Sequence, residues 1–335
     1  MRVLLTGGSG FIAAHCVDIL LQNKHSVVFT VRSDAKGQKI LSNHPDVPSS
    51  QLSYVIVEDI AKENAFDEAV KSDPPFEAVL HTASPFHFNV QDPKKDLLDP
   101  AIIGTTGILR AIKANAPSVK RVAITSSFAA IINAKQHPSV YNESSWNPVT
   151  EDEALHTDAG TAYRGSKTLA ERAAWDFVEK EKPNFTLTTL CPPLVLGPVV
   201  HYLADLSSLN TSNEIVRDMV TGKFRDSGLP TTRVVIFVDV RDLALAHVRA
   251  IEREEAQGKR FFVTAGFYRN NDVADAIKKE FPELAEKLPE KYEADPKEFP
   301  FKIDNSRAKE VLGLEYRSLE TSVTDLVRSL QKMGV

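Results

Sequence analysis

The sequence has little of what staples or anchors a chain. It holds two cysteines, Cys16 and Cys191, far apart and without partners at metal-ligand spacing. That excludes a disulfide scaffold and points to a reducing compartment. No run approaches the roughly 18 apolar residues needed to cross a bilayer. The opening Met1-Arg2-Val3-Leu4-Leu5 is too short an apolar stretch for a signal peptide, so a cytosolic place and no membrane partner are expected. An excess of positive charge is also missing. Lys and Arg total 40 against 45 Asp and Glu, for a net charge of −5 and a pI near 6.0, so a nucleic-acid partner is not expected. The nine histidines show no short ligand spacing, and no metal is expected. Internal repeats and low-complexity tracts are absent.

What the chain does have is alternation. Short β-rich runs, Arg2–Thr6, Ser26–Val31, 52–57, Ala78–His81, Arg121–Thr125 and 185–191, are separated by amphipathic stretches such as 12–23, 100–114 and 163–180. The runs are continuously apolar, as strands covered by helices on both faces must be. This pattern predicts an α/β protein with a Rossmann-type, doubly wound parallel sheet. Past Pro192-Pro193 the alternation breaks into Gly-, Pro-, Ser- and Asn-containing segments around 197–213 and 222–232. Helix Val240–Glu252, strand 260–265, helix 272–280 and a last helix 319–332 follow. We therefore expect a dinucleotide-binding domain over 1–191. A smaller substrate-binding region over 192–335 is expected to interleave with the sheet's last strands.

Thr6-Gly7-Gly8-Ser9-Gly10-Phe11-Ile12-Ala13 follows the first strand and opens the first helix. Read as Gly7-x-x-Gly10-x-x-Ala13, it puts small residues where a backbone must turn tightly and approach a diphosphate. The helix N-terminus beyond offers N–H groups and a positive dipole end. A glycine motif alone is weak, but its place between strand and helix meets the context condition. The second strand ends in Val31-Arg32 with no acid before Asp34 and with Lys36 close behind. An acid there would suit the ribose 2′-hydroxyl of NAD, whereas cations suit the 2′-phosphate of NADP, so NADPH is the expected cofactor. Asp59-Ile60, after the third strand, is placed to contact the adenine. The competing reading is that Asp59 caps a helix over 62–70.

Tyr163 and Lys167 stand four apart, on one face of a helix and one turn from each other. In a chain with seven tyrosines the spacing alone proves little. A second element strengthens it: Thr125-Ser126-Ser127 follows the fifth strand, and strand C-termini line the ligand crevice of such sheets. Hydride delivery to a carbonyl creates an alkoxide that needs a proton and a hydrogen-bond donor. Tyr163 is the expected proton donor, Lys167 the cation that lowers its pKa and binds the nicotinamide ribose, and Ser127 the donor to the oxyanion. Phe86, Phe88, Phe128, Ile131, Ile132 and Leu194 carry no charge and are candidates to flank the carbonyl. They favour aldehydes and ketones with alkyl or aryl groups, including α-dicarbonyls and keto esters, over nucleotide sugars.

These residues resemble the extended short-chain dehydrogenase/reductases. Within them they are similar to the dihydroflavonol-reductase-like fungal aldehyde and ketone reductases, among which are NADPH-dependent methylglyoxal reductases. The similarity covers nearly the whole chain. It runs through the glycine segment, Val31-Arg32-Ser33, His81-Thr82-Ala83-Ser84-Pro85-Phe86, Thr125-Ser126-Ser127, Tyr163-Arg164-Gly165-Ser166-Lys167, Pro192-Pro193-Leu194-Val195-Leu196-Gly197-Pro198, Leu209-Asn210-Thr211-Ser212 and Val238-Asp239-Val240-Arg241-Asp242. The resemblance implies that Gly7, Gly8, Ser9, Gly10, Phe11, Ile12, Arg32, Lys36, Asp59, Ile60, Thr82 and Ala83 bind NADPH. It implies the same of Tyr163, Lys167, Pro192, Val195 and Ser212. A pocket lined by Phe86, Phe128, Ile132 and Leu194 would take the small-molecule carbonyl substrate. Relatives often carry a tyrosine or another aromatic where this chain has Phe128 or Leu194, and that difference bears on the substrate.

Two other functions share the fold: a nucleotide-sugar epimerase or dehydratase, and a non-catalytic NADP-sensing regulator. The first usually keeps an acid after the second strand, and the second tends to lose the tyrosine. Neither pattern is seen in this chain. Relatives commonly dimerise, which leaves a homodimer open, and no sequence feature decides it.

Overall fold

The structure, a computed structural model, describes residues 1–84, 90–201, 203, 206–292 and 298–335. β1 (Arg2–Thr6), β2 (Ser26–Val31) and β3 (Leu52–Ile56) alternate with α1 (Phe11–Gln22) and α2 (Asp34–Ser42). Then come β4 (Ala78–His81), α3 (Asp99–Asn115), β5 (Arg121–Thr125), the short β6 (Val140–Tyr141), α4 (Glu151–His156), α5 (Ala159–Glu181) and β7 (Thr186–Cys191). The remainder holds β8 (Leu194–Leu196), α6 (Thr211–Val220), β9 (Ile236–Asp239), α7 (Val240–Glu252), β10 (Arg260–Phe262) and β11 (Gly266–Phe267). It ends with α8 (Asn270–Glu280), β12 (Lys302–Ile303), α9 (Ser306–Leu312) and α10 (Leu319–Gln331).

Among the described residues, seven strands form one sheet in the order β10-β7-β5-β4-β1-β2-β3, and every pairing in it is parallel. The doubly wound sheet expected from the sequence is observed. Alternate strand residues explain why the runs are apolar throughout. Val3, Leu5, Val27, Phe29 and Leu80 bury with α1 and α7 on one side. Leu4, Val28, Val79, Val122 and Leu187 bury with α3 and α5 on the other. Each fully buried side chain of this size contributes about 1.5–3 kcal/mol. The chain order reverses between β1 and β4, and ligands bind outside the strand C-termini at such a switch point.

β8, β9 and β11 make a second, three-stranded sheet. It packs with α6, α8 and α10 around Phe237, Leu196 and Val327. The strand expected over 260–265 divides between the two sheets. β10 ends at Phe262, and the Ala265 N–H then donates to Phe237 O of β9 at 2.8 Å. Asp239 starts α7 by accepting from Arg241 N at 2.8 Å, and the Arg241 guanidinium joins Asp239 to Asp325 of α10. No helix among the described residues is long and apolar enough to cross a membrane.

Some expectations fail locally. Residues 62–70 form turns rather than a helix, with Asn64 in the left-handed region at φ 58°, so Asp59 caps no helix. Its Oδ1 instead accepts from Ala61 N at 2.9 Å and closes a local turn. α2 and α4 carry too little periodic apolar residue to be read from sequence, and α6 lies between two segments that read as irregular. α4 begins with a capping box in which Thr150 and Glu153 each take the other's backbone N–H.

α4 lies against α5 where the latter offers Gly165. A Cβ placed on Gly165 would stand 2.3 Å from the Ala154 Cβ, so this glycine exists for close helix approach. Gly165→Ala is expected to separate α4 from α5 at an overpacking cost of about 1–3 kcal/mol. A lowered chemical-denaturation midpoint with an unchanged m-value is the predicted outcome, and an unchanged midpoint contradicts this packing account.

Candidate active site

The loop after β1 is built to receive a diphosphate. Gly7 has φ +76°, and a Cβ there would lie 2.9 Å from Ala83 Cα, so the backbone turn and the closeness of Ala83 both demand glycine. Gly10 N donates to Gly7 O at 2.8 Å, and Gly8 N to Thr30 O at 2.9 Å. The Thr82 hydroxyl donates to Thr6 O at 2.7 Å, and Ala83 N donates to Thr6 Oγ1 at 3.1 Å, which fixes Thr82-Ala83 against the loop. No side chain caps α1 at Gly10, and its first turn holds no acid, so its dipole end stays positive.

Beside the loop opens a cavity of about 800 Å³ lined by Gly8, Ser9, Gly10, Phe11, Arg32 and Lys36. Lys39, one helical turn after Lys36, lines it too and escaped the sequence reading. The spacing along α2 would have found it once that helix was known. The residues present fit a dinucleotide carrying a 2′-phosphate: a tight glycine cradle, an uncapped helix end, and cations at the end of β2. Asp59 and Ile60 lie after β3, with Ile60 packed toward the α3 side of the sheet.

Ser127 follows β5 and starts a short 3₁₀ turn, its Oγ accepting from Ala129 N at 3.1 Å. Tyr163 reaches it from α5, and the two hydroxyls share a hydrogen bond. α5 starts at Asp158, whose Oδ1 accepts from Gly160 N and Thr161 N and caps the helix. Lys167 Nζ donates to Ser84 Oγ at 2.8 Å, so Ser84, inside the His81-Thr82-Ala83-Ser84 segment, is a partner the sequence reading did not single out. The electrostatics differ from expectation. Burial against Leu97, Ala154 and Ala162 raises the Tyr163 pKa, and the Ser127 hydrogen bond only partly opposes it. The phenol is therefore held neutral rather than primed to ionise. Lys167 is itself drawn down to about 8 by burial. Its charge and burial hold nearby His81 near 3, with burial the larger cause, so that imidazole is neutral.

One turn beyond Lys167 on the same helix, Glu171 is buried in a network that sequence reasoning missed. Arg260 of β10 meets its carboxylate at 2.7 Å and 3.0 Å. Ser126 donates at 2.5 Å, Thr189 at 2.7 Å and Trp175 at 3.3 Å. Burial pushes the Glu171 carboxyl up, but Arg260 and these hydroxyls more than compensate and hold it below the usual carboxylate range. Cys191 lies against it, with its thiol pushed up to about 12 by burial and by that carboxylate. The signal was the Tyr-x-x-x-Lys-x-x-x-Glu spacing.

The expected nicotinamide-side residues also come together. Val195 N donates to Ser212 Oγ at 3.4 Å, and Pro192 O accepts from Phe128 N at 2.8 Å, which links the second sheet to the Ser127 turn. Of the expected pocket lining, the Phe128 ring is buried among Tyr141, Phe262 and Phe301, stacked on Phe262 at 5.4 Å. Ile131 is fully buried there as well, and Ile132 packs at that cluster's edge. Leu194 is partly buried against the small-sheet core. Phe86 and Phe88 lie outside the described residues.

Residues 3–264 match the model of the NAD dependent epimerase/dehydratase family. The chain belongs to that family. It is 49% identical over 336 residues to the ketoreductase azaE of Aspergillus niger, covering 98% of this chain and 97% of that protein. It is 36% identical to the NADPH-dependent methylglyoxal reductase GRE2 of Saccharomyces cerevisiae, over 99% and 98% of the two chains. The crystal structure of Gre2 from Candida albicans in complex with NADPH superposes with a TM-score of 0.93 at 37% identity, covering both chains completely. A UDP-glucose 4-epimerase from Thermotoga maritima, 22% identical with a TM-score of 0.71, shares the fold.

Because Glu171 and Arg260 are buried together, removing one charge strands the other. Glu171→Gln is expected to cost about 3–5 kcal/mol in chemical denaturation. The double variant Glu171→Met/Arg260→Met should recover most of that loss. Equal losses for the single and double variants contradict this account of the pair.

Proposed function

We propose that this family member is an NADPH-dependent carbonyl reductase that converts aldehydes and ketones, including α-dicarbonyls and keto esters, to alcohols. The observation that carries the reading is the hydrogen-bonded Ser127–Tyr163 pair on one side of Lys167, at the strand ends beside the glycine cradle. NADPH, when bound, supplies the hydride. The chain's residues do the rest. Ser127 Oγ–H donates to the carbonyl oxygen as negative charge grows there. The Tyr163 hydroxyl delivers its proton to that oxygen, which completes the alcohol. A pKa raised by burial keeps the phenol protonated at neutral pH, as a donor must be. Lys167 holds the cofactor's nicotinamide ribose, with Ser84 orienting its ammonium. Gly7 to Ile12, Thr82, Ala83, Pro192, Val195 and Ser212 receive the remainder of the cofactor, with Asp59 and Ile60 at its adenine.

Residues 192–335 form the substrate region in this reading, with Leu194 from it and Ile132 from the 1–191 part among the pocket walls. The names of the relatives, a ketoreductase and a methylglyoxal reductase, favour it over the epimerase alternative. The reading extends to a cytosolic enzyme, supported by two buried, unpaired cysteines. It also extends to a homodimer, to be checked by light scattering.

An NADPH-consumption assay with a branched aldehyde, an aryl ketone and a nucleotide sugar tests the class of reaction, and turnover of the nucleotide sugar alone contradicts it. Tyr163→Phe is expected to abolish turnover while NADPH still binds. Ser127→Ala should lower kcat by roughly 100-fold or more. The value of kcat/KM for NADPH, which reports the cofactor-free enzyme, should fall as pH rises through about 8, because Lys167 is charged below that pH and neutral above it. A flat profile across this range removes Lys167 from its role.

Cofactor choice is a separate test. A charge-assisted contact from Arg32 to the 2′-phosphate contributes roughly 1.5–3 kcal/mol, or on the order of 10- to 100-fold in affinity. Arg32→Asp should weaken NADPH by that factor and narrow the gap to NADH. Equal efficiency of the parent enzyme with both cofactors overturns the assignment.

A further inference from the structure

α2 presents two opposite faces. At about 100° per residue, Asp34, Gly37 and Gln38 fall together as i, i+3 and i+4, while Ala35, Lys36, Lys39 and Ile40 fall on the other side. The second group lines the cavity beside the glycine loop, together with Arg32. The first group meets Tyr54 of β3. The Tyr54 hydroxyl donates to the Asp34 carboxylate and accepts from Gln38 Nε2 at 2.8 Å. The bond to Asp34 raises the Tyr54 pKa, so the phenol stays protonated and remains a donor. A Cβ on Gly37 would stand 2.5 Å from the Tyr54 ring, so the helix rests directly on that ring. Tyr54 in turn neighbours Phe29 of β2, with ring centroids 5.8 Å apart, and a Cβ on Gly8 would stand 2.6 Å from the Phe29 ring. Two aromatics thus run from the glycine loop to α2.

We propose that Tyr54 is a positioning residue for cofactor choice: by holding Asp34 and Gln38 it sets the rotation of α2, turns Lys36 and Lys39 to the cavity, and keeps the Asp34 carboxylate away from the 2′-phosphate. The inference rests on the reading of Arg32 and Lys36 as the 2′-phosphate site, and adds a residue that acts through α2 rather than on the cofactor itself. Asp34 is what gives the restraint its effect. It stands two residues from Arg32 and two from Lys36. A carboxylate released to the cavity side would compete with the phosphate for both cations and repel it. An acid near the end of the second strand is the usual mark of a NAD site, where it meets the ribose 2′-hydroxyl. Here the acid is present one helical turn early in α2, but it is tied to β3.

The test measures binding, not turnover. Tyr54→Phe keeps a ring against Gly37 and Phe29 and removes only the hydroxyl. NADPH and NADH are titrated, by cofactor fluorescence, against the parent enzyme, Tyr54→Phe, Asp34→Asn and the double variant. Tyr54→Phe should weaken NADPH roughly 3- to 10-fold, the scale of one exposed charge contact, and leave NADH unchanged. The loss should shrink at high salt. Asp34→Asn should raise NADPH affinity more in the Tyr54→Phe background than in the parent, because only there is the carboxylate released. Unchanged NADPH affinity in Tyr54→Phe overturns the proposal. So does an equal loss of both cofactors, which marks a general distortion of α2, and so do equal gains from Asp34→Asn in the two backgrounds. A parent enzyme that binds NADPH no better than NADH overturns instead the 2′-phosphate reading on which the proposal rests.

Discussion

Glu171 and Arg260 lie 89 residues apart in sequence, and their buried ion pair ties the helix carrying the reactive side chains to the edge strand of the large sheet. Through Ser126 the same carboxylate grips the residue next to Ser127, and through Thr189 it grips β7. Arg260 also donates to the backbone oxygens of Ala130, Glu143 and Ser145 and stacks 3.8 Å over Trp146. A charge taken from water is tolerable only when its hydrogen-bonding capacity is filled, and here every donor used to fill it sits on an element bordering the site. The Glu171 carboxylate thus joins the helix of Tyr163 to the residue beside Ser127.

A second constraint acts at the switch point between β1 and β4. Gly7 can turn there only because it lacks a Cβ, and Ala83 approaches it from the segment after β4. Thr6 accepts bonds from both Thr82 and Ala83, which ties the loop after β1 to the segment carrying Ser84. Lys167 reaches that segment from the opposite side of the sheet. The glycine loop and the helix carrying Tyr163 and Lys167 therefore meet at one edge of the switch point, an arrangement that the proposed hydride and proton transfer to one carbonyl requires.

The electrostatic balance is set by burial more than by charge pairs. Tyr163 is raised, while Lys167 and His81 are lowered, all with desolvation as the leading cause. Burial at these positions favours the uncharged form of each group. The fold is shared with an epimerase at 22% identity, so the sheet alone does not decide the reaction.

By itself the sequence determined the strands of the large sheet, the long helices and the residues of the glycine loop. A parallel sheet covered on both faces needs continuous apolar runs, and a diphosphate loop needs glycine between strand and helix, so both leave local signatures. Ser127, Tyr163 and Lys167 were legible for a similar reason, since the strand end and the one-turn helical spacing are local features. α2 and α4 were not, because polar surface helices bear little periodicity, and the turns at 62–70 were misread because nothing in the residues announced the left-handed Asn64. Only the tertiary structure decided that Arg260 answers Glu171, that Ser84 answers Lys167, and that Phe128 turns into an aromatic core. It alone also decided that burial raises the Tyr163 pKa where a neighbouring cation was expected to lower it. Each of these depends on which distant segments exclude water from a side chain, and no spacing along the chain encodes that.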